Sequence, residues 1–230
     1  MTYPLVSVII SVKNGERYLR SAIESVLAQE YAPFEILVVD GHSTDQTEAI
    51  AGSYSQVRHL RQADKGIAAA YNQGIAAAKG DLVAFLSHDD SWTPDKLRLQ
   101  VEHMLAIPQL RYTVARVKFF LSQGMAPPAG FRVNLLVGDH VAYIMETLVA
   151  RKPVFNEVGT FNTQLTTGED VDWFSRAKDA AVAHDVIPKV LLHKRVHDAN
   201  SSLNDSATND IMLDVLRRSI ERKRMRAGTS

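Results

Sequence analysis

Hydrophobic residues in the first half of the chain alternate between short continuous runs and helix-spaced patterns. Continuous apolar runs are typical of strands buried on both faces, and they predict strands at 5–12, 34–40 and 81–87, with a short third strand at 57–62. Between these runs, apolar residues at helical spacing predict helices at 14–29, 43–54 and 66–79. Because strands and helices alternate through short connections, we expect an α/β fold with a mostly parallel central sheet flanked by helices.

The second half of the chain is less regular. Its patterns predict a helix at 93–107, a strand at 112–122, a loop at 123–131, a further loop and strand within 132–150, a helix at 168–180, a strand at 186–197 and an amphipathic helix with a basic end at 210–228. There is neither an internal repeat nor a low-complexity linker, so one domain is the simplest interpretation.

Three of the predicted helices begin with residues that are typical of N-caps. A side-chain oxygen at this position accepts a hydrogen bond from a backbone N–H of the first turn. We expect Asn14 to cap the first helix, Ser43 or Thr44 the second, and Thr93 the fourth, with Pro94 at its first helical position.

Composition and charge exclude several classes of protein. With 46% hydrophobic and 23% charged residues among 230, the chain is globular rather than disordered. It has 26 lysines and arginines against 26 aspartates and glutamates, so its overall charge gives no argument for nucleic-acid binding. The absence of cysteine excludes disulfides and thiolate metal sites. The N-terminus lacks a signal-peptide pattern and no segment has the roughly 20 apolar residues of a membrane-spanning helix, which predicts a cytoplasmic protein.

Polar clusters follow three of the predicted strands: Lys13–Asn14, Asp40–Gly41–His42 and His88–Asp89–Asp90. In a parallel sheet covered by helices, the ligand crevice lies beyond the carboxyl ends of the strands. We therefore expect the three clusters to meet at one edge of the sheet and to form a functional site there.

The acidic residues of these clusters each allow more than one interpretation. Asp40 could accept hydrogen bonds from a ribose hydroxyl or a base N–H, or it could belong to an Asp–Gly turn with an N-capping serine. Asp89 and Asp90 could share a divalent cation whose shell is completed by phosphate oxygens. Alternatively, one of them caps the following turn and the other is solvated. A basic side chain could also compensate their charge.

The last part of the chain offers further candidates. Glu169 and Asp170 open a predicted helix, where the helix dipole favours a carboxylate. One of them could instead be a general base held against an apolar wall formed by Trp173 and Phe174. His197, near the end of the last predicted strand, could bind a metal or be structural.

Five stretches in chain order carry a resemblance to a known family: VSVIISVKNGERYLRSAIESVLAQ, EILVVDGHSTDQT, KGIAAAYNQGIAAAKGDLVAFLSHDD, VGTFNTQLTTGEDVDWFSRA and KRVHDANSS. The chain resembles the family 2 glycosyltransferases, which are inverting enzymes of the nucleotide-sugar-binding GT-A type. The resemblance extends over most of residues 5–202. It implies a hexosyltransferase that moves a sugar from a nucleoside diphosphate sugar, with uridine diphosphate favoured, to an acceptor hydroxyl.

The resemblance also implies roles for individual residues. Asp40 would contact the nucleotide base, and Asp89 would bind a Mn²⁺ or Mg²⁺ ion with Asp90 beside it and His197 near by. Asp170, the second residue of the Glu169–Asp170 catalytic pair, would be the base. Further contacts with the donor nucleotide are expected from Ser11, Lys13, Lys65, Ser87 and His88.

One position departs from the family pattern. Members usually carry Asp, or sometimes Asn, two residues before the metal-binding Asp, and this chain has Ser87 there. A hydroxyl can form a hydrogen bond with a ribose but is a weak metal ligand. The alternative function is therefore a nucleotide-sugar-binding protein that has lost catalysis.

The resemblance divides the chain into a glycosyltransferase domain at 1–205, with a nucleotide-binding half at 1–107 and an acceptor half at 108–205, and a C-terminal basic helix at 206–230.

Gly124, Pro127, Pro128 and Gly130 suggest a loop that could close over substrates. The basic helix is either a solvated end or a peripheral contact with anionic lipid. The acceptor is not identified, and a homodimer is one option for the oligomeric state.

Overall fold

The computed structural model describes residues 3–122, 124–198, 200, 215, 217–222 and 224. The strands are β1 Val6–Val12, β2 Phe34–Asp40, β3 Val57–Arg61, β4 Leu82–Ser87, β5 Ser91–Trp92, β6 Tyr112–Leu121, β7 His140–Val141, β8 Val149–Arg151 and β9 His184–Val196. The helices are α1 Leu19–Leu27, α2 Thr47–Gly52, α3 Ile67–Ala77, α4 Lys96–Ala106, α5 Val154–Glu157 and α6 Glu169–Asp179, with 3-10 helices at Val133–Leu136 and Met145–Thr147. Residues 215, 217–222 and 224 are also helical.

The strands form one sheet in the order β3-β2-β1-β4-β8-β6-β9-β5, and β7 pairs with β6. The first four strands are parallel to one another, as the alternating sequence pattern predicts. β8 runs antiparallel to both β4 and β6, whereas β6 and β9 are parallel. The sheet is therefore mixed in its second half, because β6 is connected to β8 without the crossover α-helix that a parallel pair requires.

Alternate residues of the central strands face two separate hydrophobic cores. Val8 and Ile10 of β1 pack with α1, α2 and α4 on one side of the sheet. Ile9 packs with α3, α5 and α6 on the other side. The continuous apolar runs of the sequence therefore do correspond to strands that are covered on both faces.

α1 and α2 begin later than predicted because the residues expected to cap them hold two loops together instead. Neither helix has a side-chain cap. Asn14 Oδ1 accepts the backbone N–H of Thr44 at 2.9 Å, and the Asn14 N–H donates to Ser43 Oγ at 2.7 Å. Ser43 in turn donates its hydroxyl to Asp40 Oδ1 at 2.6 Å. The cap predictions for Asn14, Ser43 and Thr44 were wrong, and these contacts fix the loops after β1 and β2 to each other.

The predicted start of α4 was also wrong. This helix begins at Lys96 without a side-chain cap, and the Thr93 hydroxyl donates to Asp95 Oδ1 at 2.8 Å. The strand β5 and the helix α5 were not predicted, because elements of two and four residues are too short to show a periodicity.

The described residues near the C-terminus pack against α6. Arg222 forms an ion pair with Asp179 at 2.8 Å, and Ser219 donates to the same carboxylate at 2.9 Å. The remainder of the helix predicted at 210–228 lies outside the described residues. In the ranges given above, no helix has the length and apolar character needed to cross a lipid bilayer.

Candidate active site

The carboxyl ends of β1, β2 and β4 meet at one edge of the sheet. In the strand register, Val12 lies opposite Asp40, and Ser11 lies opposite Ser87. The three polar clusters that follow these strands therefore start at the same level, as predicted. Ser11, only 8% exposed, is at the centre of this edge because β1 lies between β2 and β4.

Asp89 follows β4 and is held by contacts to one of its two oxygens. Its Oδ2 lies 2.9 Å from His197 Nε2 and accepts an N–H from Asn200 Nδ2 at 3.1 Å. Burial raises the pKa of Asp89, but the His197 hydrogen bond and the charges of His88 and Lys194 outweigh it and lower this pKa to about 2. Within the described residues, Oδ1 accepts no hydrogen bond. Asp89 is thus an ionised carboxylate with one oxygen available to a ligand.

Asp90 has different surroundings, since it is completely buried. Its Oδ2 accepts a hydrogen bond from Lys194 Nζ at 2.8 Å, and its Oδ1 accepts the backbone N–H of Arg195 at 2.9 Å. Burial opposes the charge on Lys194, but Asp90 and Glu146 more than compensate and raise the pKa of this lysine well above its ordinary value. Both oxygens of Asp90 are bonded within the protein and have no exposed surface, so a metal ligand at this position stays a prediction, and the structure gives Asp90 a charge partner inside the protein.

Glu146 completes a buried group of charges beside the end of β4. Its Oε1 accepts the Ser87 hydroxyl at 2.6 Å and Lys194 Nζ at 3.1 Å. Burial raises the pKa of Glu146, but Lys194 and the Ser87 hydrogen bond outweigh it, so this pKa is lower than usual and the carboxylate is ionised. Lys194 therefore bridges two carboxylates, Asp90 and Glu146.

The start of α6 is fixed by contacts to the loop that precedes it. Arg176 donates to the carbonyl of Val158 at 2.6 Å, and Trp173 Nε1 donates to the carbonyl of Gly159 at 3.1 Å. Gly168 has φ 72°, a left-handed conformation that a residue without Cβ adopts readily. The loop that leads to α6 is therefore held by side chains from the second turn of this helix.

Glu169 and Asp170 form the first turn of α6, and both have raised pKa values. Burial and the neighbouring Asp170 raise the pKa of Glu169 to about 7. Burial and the charge of Glu146 raise the pKa of Asp170 to about 6, against an opposing effect of Lys194. Asp170 keeps part of its surface exposed. A partly exposed carboxyl group with this pKa can accept a proton near neutral pH.

The sequence allows two interpretations of Asp40, and its contacts are those of the turn that follows β2. Its Oδ1 accepts both the N–H and the hydroxyl of Ser43, at 2.9 and 2.6 Å, while its Oδ2 lies 3.4 Å from His59 Nε2. Lys13 and Lys65 are exposed in the loops after β1 and before α3. Neither lysine forms an ion pair within the described chain, so the structure brings them to the crevice edge without fixing them.

His88 packs closely against the loop that follows β1. A Cβ atom added at Gly15 would lie 2.8 Å from His88 Cδ2 and 2.4 Å from Val12 Cγ2, so only glycine permits this approach. Burial lowers the pKa of His88, although the charge of Asp89 partly opposes that shift. His88 thus lines the same edge as Ser11, as predicted.

Tyr18 and Arg195 form a further part of the site that sequence reasoning missed. The Arg195 guanidinium lies 4.6 Å from the centre of the Tyr18 ring, and that ring is 5.1 Å from the ring of His197. The Tyr18 hydroxyl is buried and has no hydrogen-bond partner among the residues that the structure describes. A buried hydroxyl of this kind can donate to a ligand oxygen.

Glu146 and Lys194 were also missed, for different reasons. Lys194 could have been predicted from the sequence, because a buried acidic pair needs a nearby cation and Lys194–Arg195 lies shortly before His197. Glu146 had none, since it lies in an irregular segment and matches no motif.

A family model, Glycosyl transferase family 2, matches residues 7–161. The match covers more than half of the 230 residues and includes both Asp40 and Asp89. The chain belongs to glycosyl transferase family 2. The Glu169–Asp170 pair and His197 lie beyond the matched residues of this family 2 glycosyltransferase.

Curated relatives are glycosyltransferases as well. The chain is 34% identical over 217 residues to an uncharacterised glycosyltransferase of Rickettsia typhi, with coverage of 87% of this chain and 68% of that protein. It is 31% identical over 222 residues to one of Rickettsia felis, covering 90% of this chain and 36% of the relative. Over 104 residues it is 39% identical to the Escherichia coli enzyme named UDP-Glc:alpha-D-GlcNAc-diphosphoundecaprenol beta-1,3-glucosyltransferase WfgD, covering 44% and 41%. The chain therefore spans much less than the full length of several relatives.

Solved structures show the same fold. TarS 1-349 of S. aureus in complex with UDP-GlcNAc aligns with a TM-score of 0.74 and 19% identity, covering 94% of this chain and 66% of that one. The complex of TarS 1-349 with UDP aligns with a TM-score of 0.66 and 21% identity, covering 83% and 60%. The predicted GT-A architecture of this family 2 glycosyltransferase is thereby confirmed.

The buried Lys194 is expected to be essential for stability. Lys194→Met leaves Asp90 and Glu146 without a cation, and breaking a buried ion pair of this kind costs about 3–5 kcal/mol of unfolding free energy. Lys189→Met is the control, since Lys189 pairs with Asp95 at an exposed position and its loss is expected to cost about 1 kcal/mol or less. Urea unfolding of both variants measures the difference, and equal losses would contradict the assigned role of Lys194.

Proposed function

We propose that this chain is an inverting glycosyltransferase that moves a sugar from a nucleoside diphosphate sugar to an acceptor hydroxyl, with Asp170 as the base. One observation carries the proposal: Asp89 follows β4 at the edge of the sheet where β1, β2 and β4 end, and His197 at 2.9 Å and Asn200 at 3.1 Å hold one of its oxygens while the other is available to a ligand. A donor diphosphate with its cation can bind at this edge, and Asp170 in the first turn of α6 is the carboxyl group that we assign to the acceptor.

The donor is proposed to be a uridine diphosphate sugar. The Escherichia coli relative is named as a UDP-Glc-dependent glucosyltransferase, and two of the TarS structures are complexes with UDP or UDP-GlcNAc. Asp40 supports this choice, because its Oδ2 makes only one long contact and can accept an N–H from a base. Lys13 and Lys65 are exposed at the same edge, where ammonium groups can bind phosphate oxygens.

A divalent cation, Mn²⁺ or Mg²⁺, fits the residues around Asp89. Mg²⁺ is commonly bound by one or two carboxylates together with substrate phosphates, so one available carboxylate oxygen is sufficient. His197 and Asn200 hold the other oxygen, which is the arrangement that orients a metal-binding carboxylate. In the part of the chain that the structure describes, no group of three or more His, Asp or Glu side chains could hold a metal by itself. When bound, the cation supplies positive charge to the departing diphosphate.

The chemistry of the transfer follows from the position of Asp170. The acceptor oxygen attacks the anomeric carbon, its proton moves to a carboxylate oxygen of Asp170, and the bond to the diphosphate oxygen breaks with its electron pair. Attack from the face opposite the diphosphate inverts the configuration in one displacement. Glu169 precedes the base in the first turn of α6, where burial and the charge of Asp170 raise its pKa to about 7.

Donor binding is expected to depend on the cation and on Asp89. Calorimetry should show that UDP binds at least about tenfold more tightly with Mn²⁺ than without it, a difference of about 1.4 kcal/mol. Asp89→Asn should remove most of this difference, whereas Asp81→Asn, an exposed position at the opposite end of β4, should retain it. Cation-independent binding of UDP by the unmodified protein would contradict the role given to Asp89.

Asp170→Asn is expected to bind UDP normally and to lose transfer. Removal of a general base typically lowers the rate by about a hundredfold to ten-thousandfold. Release of UDP from a UDP-sugar, measured with a panel of acceptors, gives the rate. Asp81→Asn is again the control, because this carboxylate is exposed before β4 at the opposite end of the sheet. Cation-dependent UDP binding without any release of UDP by the unmodified protein would indicate the alternative, a binding protein without catalysis.

The pH dependence of kcat/KM should report the raised pKa of Asp170. The base must be deprotonated in the free enzyme, so kcat/KM is expected to fall as the pH decreases through about 6. Glu169, with a pKa of about 7, is adjacent to Asp170. The acid limb of the kcat/KM profile therefore reports the titration of the two carboxyl groups together. A base with an ordinary carboxyl pKa would keep kcat/KM constant down to about pH 4–5. A flat profile between pH 5 and 7 would therefore contradict the assignment.

A further inference from the structure

Ser87, the last residue of β4, contacts Glu146, which lies in the 3-10 helix Met145–Thr147 just before β8. The Ser87 hydroxyl donates to Glu146 Oε1 at 2.6 Å. A distance this short is typical of a hydroxyl that donates to an ionised carboxylate.

This contact decides which hydrogen bonds Ser87 can make with a ligand. A serine hydroxyl has one hydrogen and two lone pairs. Because the hydrogen is directed at Glu146, the oxygen is left as an acceptor toward the crevice. Ser87 is only half-buried and is two residues from Asp89. Its oxygen therefore lies at the edge of the sheet where the donor nucleotide is proposed to bind. A ribose hydroxyl can donate to this oxygen, whereas an ionised diphosphate has no hydrogen to donate.

The side chain of Glu146 is itself held in place. Lys194 donates to the same Oε1 at 3.1 Å and also to Asp90 at 2.8 Å. Glu146 is 7% exposed, and it has no room to turn away from Ser87 without separating from the buried lysine. The orientation of the Ser87 hydroxyl is therefore fixed before any ligand binds.

We infer that Glu146 is a positioning residue for the donor, which fixes Ser87 as a hydrogen-bond acceptor for a ribose hydroxyl of the nucleotide. Ser87 touches the ligand, and Glu146 acts through Ser87. The inference rests on the proposed function, because it requires a nucleoside diphosphate at the carboxyl end of β4. The inference predicts that the site binds a ribonucleotide more tightly than the corresponding deoxynucleotide.

The test compares UDP with 2′-deoxy-UDP and 3′-deoxy-UDP in the presence of Mn²⁺, by calorimetry on the full chain. The unmodified protein is expected to bind one of the two deoxy analogues about tenfold more weakly than UDP. Ser87→Ala should weaken UDP about tenfold and leave that analogue unchanged, because the hydroxyl that bonds Ser87 is already missing. Glu146→Gln should also weaken the binding of UDP more than that of this analogue, but by less than Ser87→Ala does. The amide oxygen of glutamine still accepts a hydrogen bond but carries no charge.

Ser7 and Glu35 provide a matched control. The Ser7 hydroxyl donates to Glu35 Oε1 at 2.6 Å, and the two residues are partners in the register of β1 and β2. This pair lies at the opposite end of the sheet from Ser87. Ser7→Ala and Glu35→Gln are therefore expected to leave the affinities for UDP and both analogues unchanged.

If Glu146→Gln folds poorly, variants that move the negative charge from residue 146 to residue 87 provide a second test. Ser87→Asp alone places two carboxylates within hydrogen-bond distance and should lower both the melting temperature and UDP affinity. Ser87→Asp combined with Glu146→Gln returns one negative charge and one acceptor to the site, so UDP affinity should recover to within about threefold of the unmodified protein.

Three results would overturn the inference. These are equal affinity of the unmodified protein for UDP and both analogues, equal weakening of UDP and both analogues by Ser87→Ala, and failure of the double variant to recover when it is folded. The proposed function fails separately, through absence of cation-dependent UDP binding by the unmodified protein. The two failures are therefore distinguishable.

Discussion

The charge of Lys194 holds together three parts of the chain that are distant in sequence. Asp90 follows β4 and Glu146 precedes β8, and they are 104 and 48 residues from Lys194 in β9. A buried carboxylate without a partner is strongly unfavourable, and two neighbouring ones more so. Because one ammonium group compensates both, the end of β4 can carry Asp89 at the crevice without a further uncompensated charge below it.

The same group of charges gives two carboxylates different protonation properties. Contacts with His197 and nearby positive charge lower the pKa of Asp89 to about 2, which suits a residue that must stay ionised to bind a cation. Burial and the charge of Glu146 raise the pKa of Asp170 to about 6, which suits a residue that must accept a proton. Environments that separate the pKa values of neighbouring carboxyl groups are a common basis for distinct catalytic roles. Under the proposed function, Glu146 would act on the donor side through its contact with Ser87 and on the acceptor side through the pKa of Asp170.

The sequence predicts the first half of the fold well, because its strands are continuous apolar runs that only a doubly covered sheet explains. It predicts helix starts poorly, since Asn14 and Ser43 bond to neighbouring loops rather than to the first turns of their helices. The meeting of Asp40 and Asp89 at one edge follows from parallel topology alone. The contact between Ser87 and Glu146 does not, because Glu146 lies in a short 3-10 helix that no sequence pattern marks and is 59 positions from Ser87.

The adjacent residues Asp89 and Asp90 show why a short acidic motif is not two equivalent ligands. Both residues lie just after β4, and the end of β9 together with the residues that follow it supplies partners to both. Lys194 reaches Asp90 inside the protein, while His197 and Asn200 reach Asp89 at the crevice. The ion pair of Asp90 with Lys194 fixes how the end of β9 lies against the turn after β4, and this arrangement determines where His197 can meet Asp89. Under the proposed function, Asp90 would hold this turn in position, and Asp89 is the residue of the two whose charge a bound cation would contact.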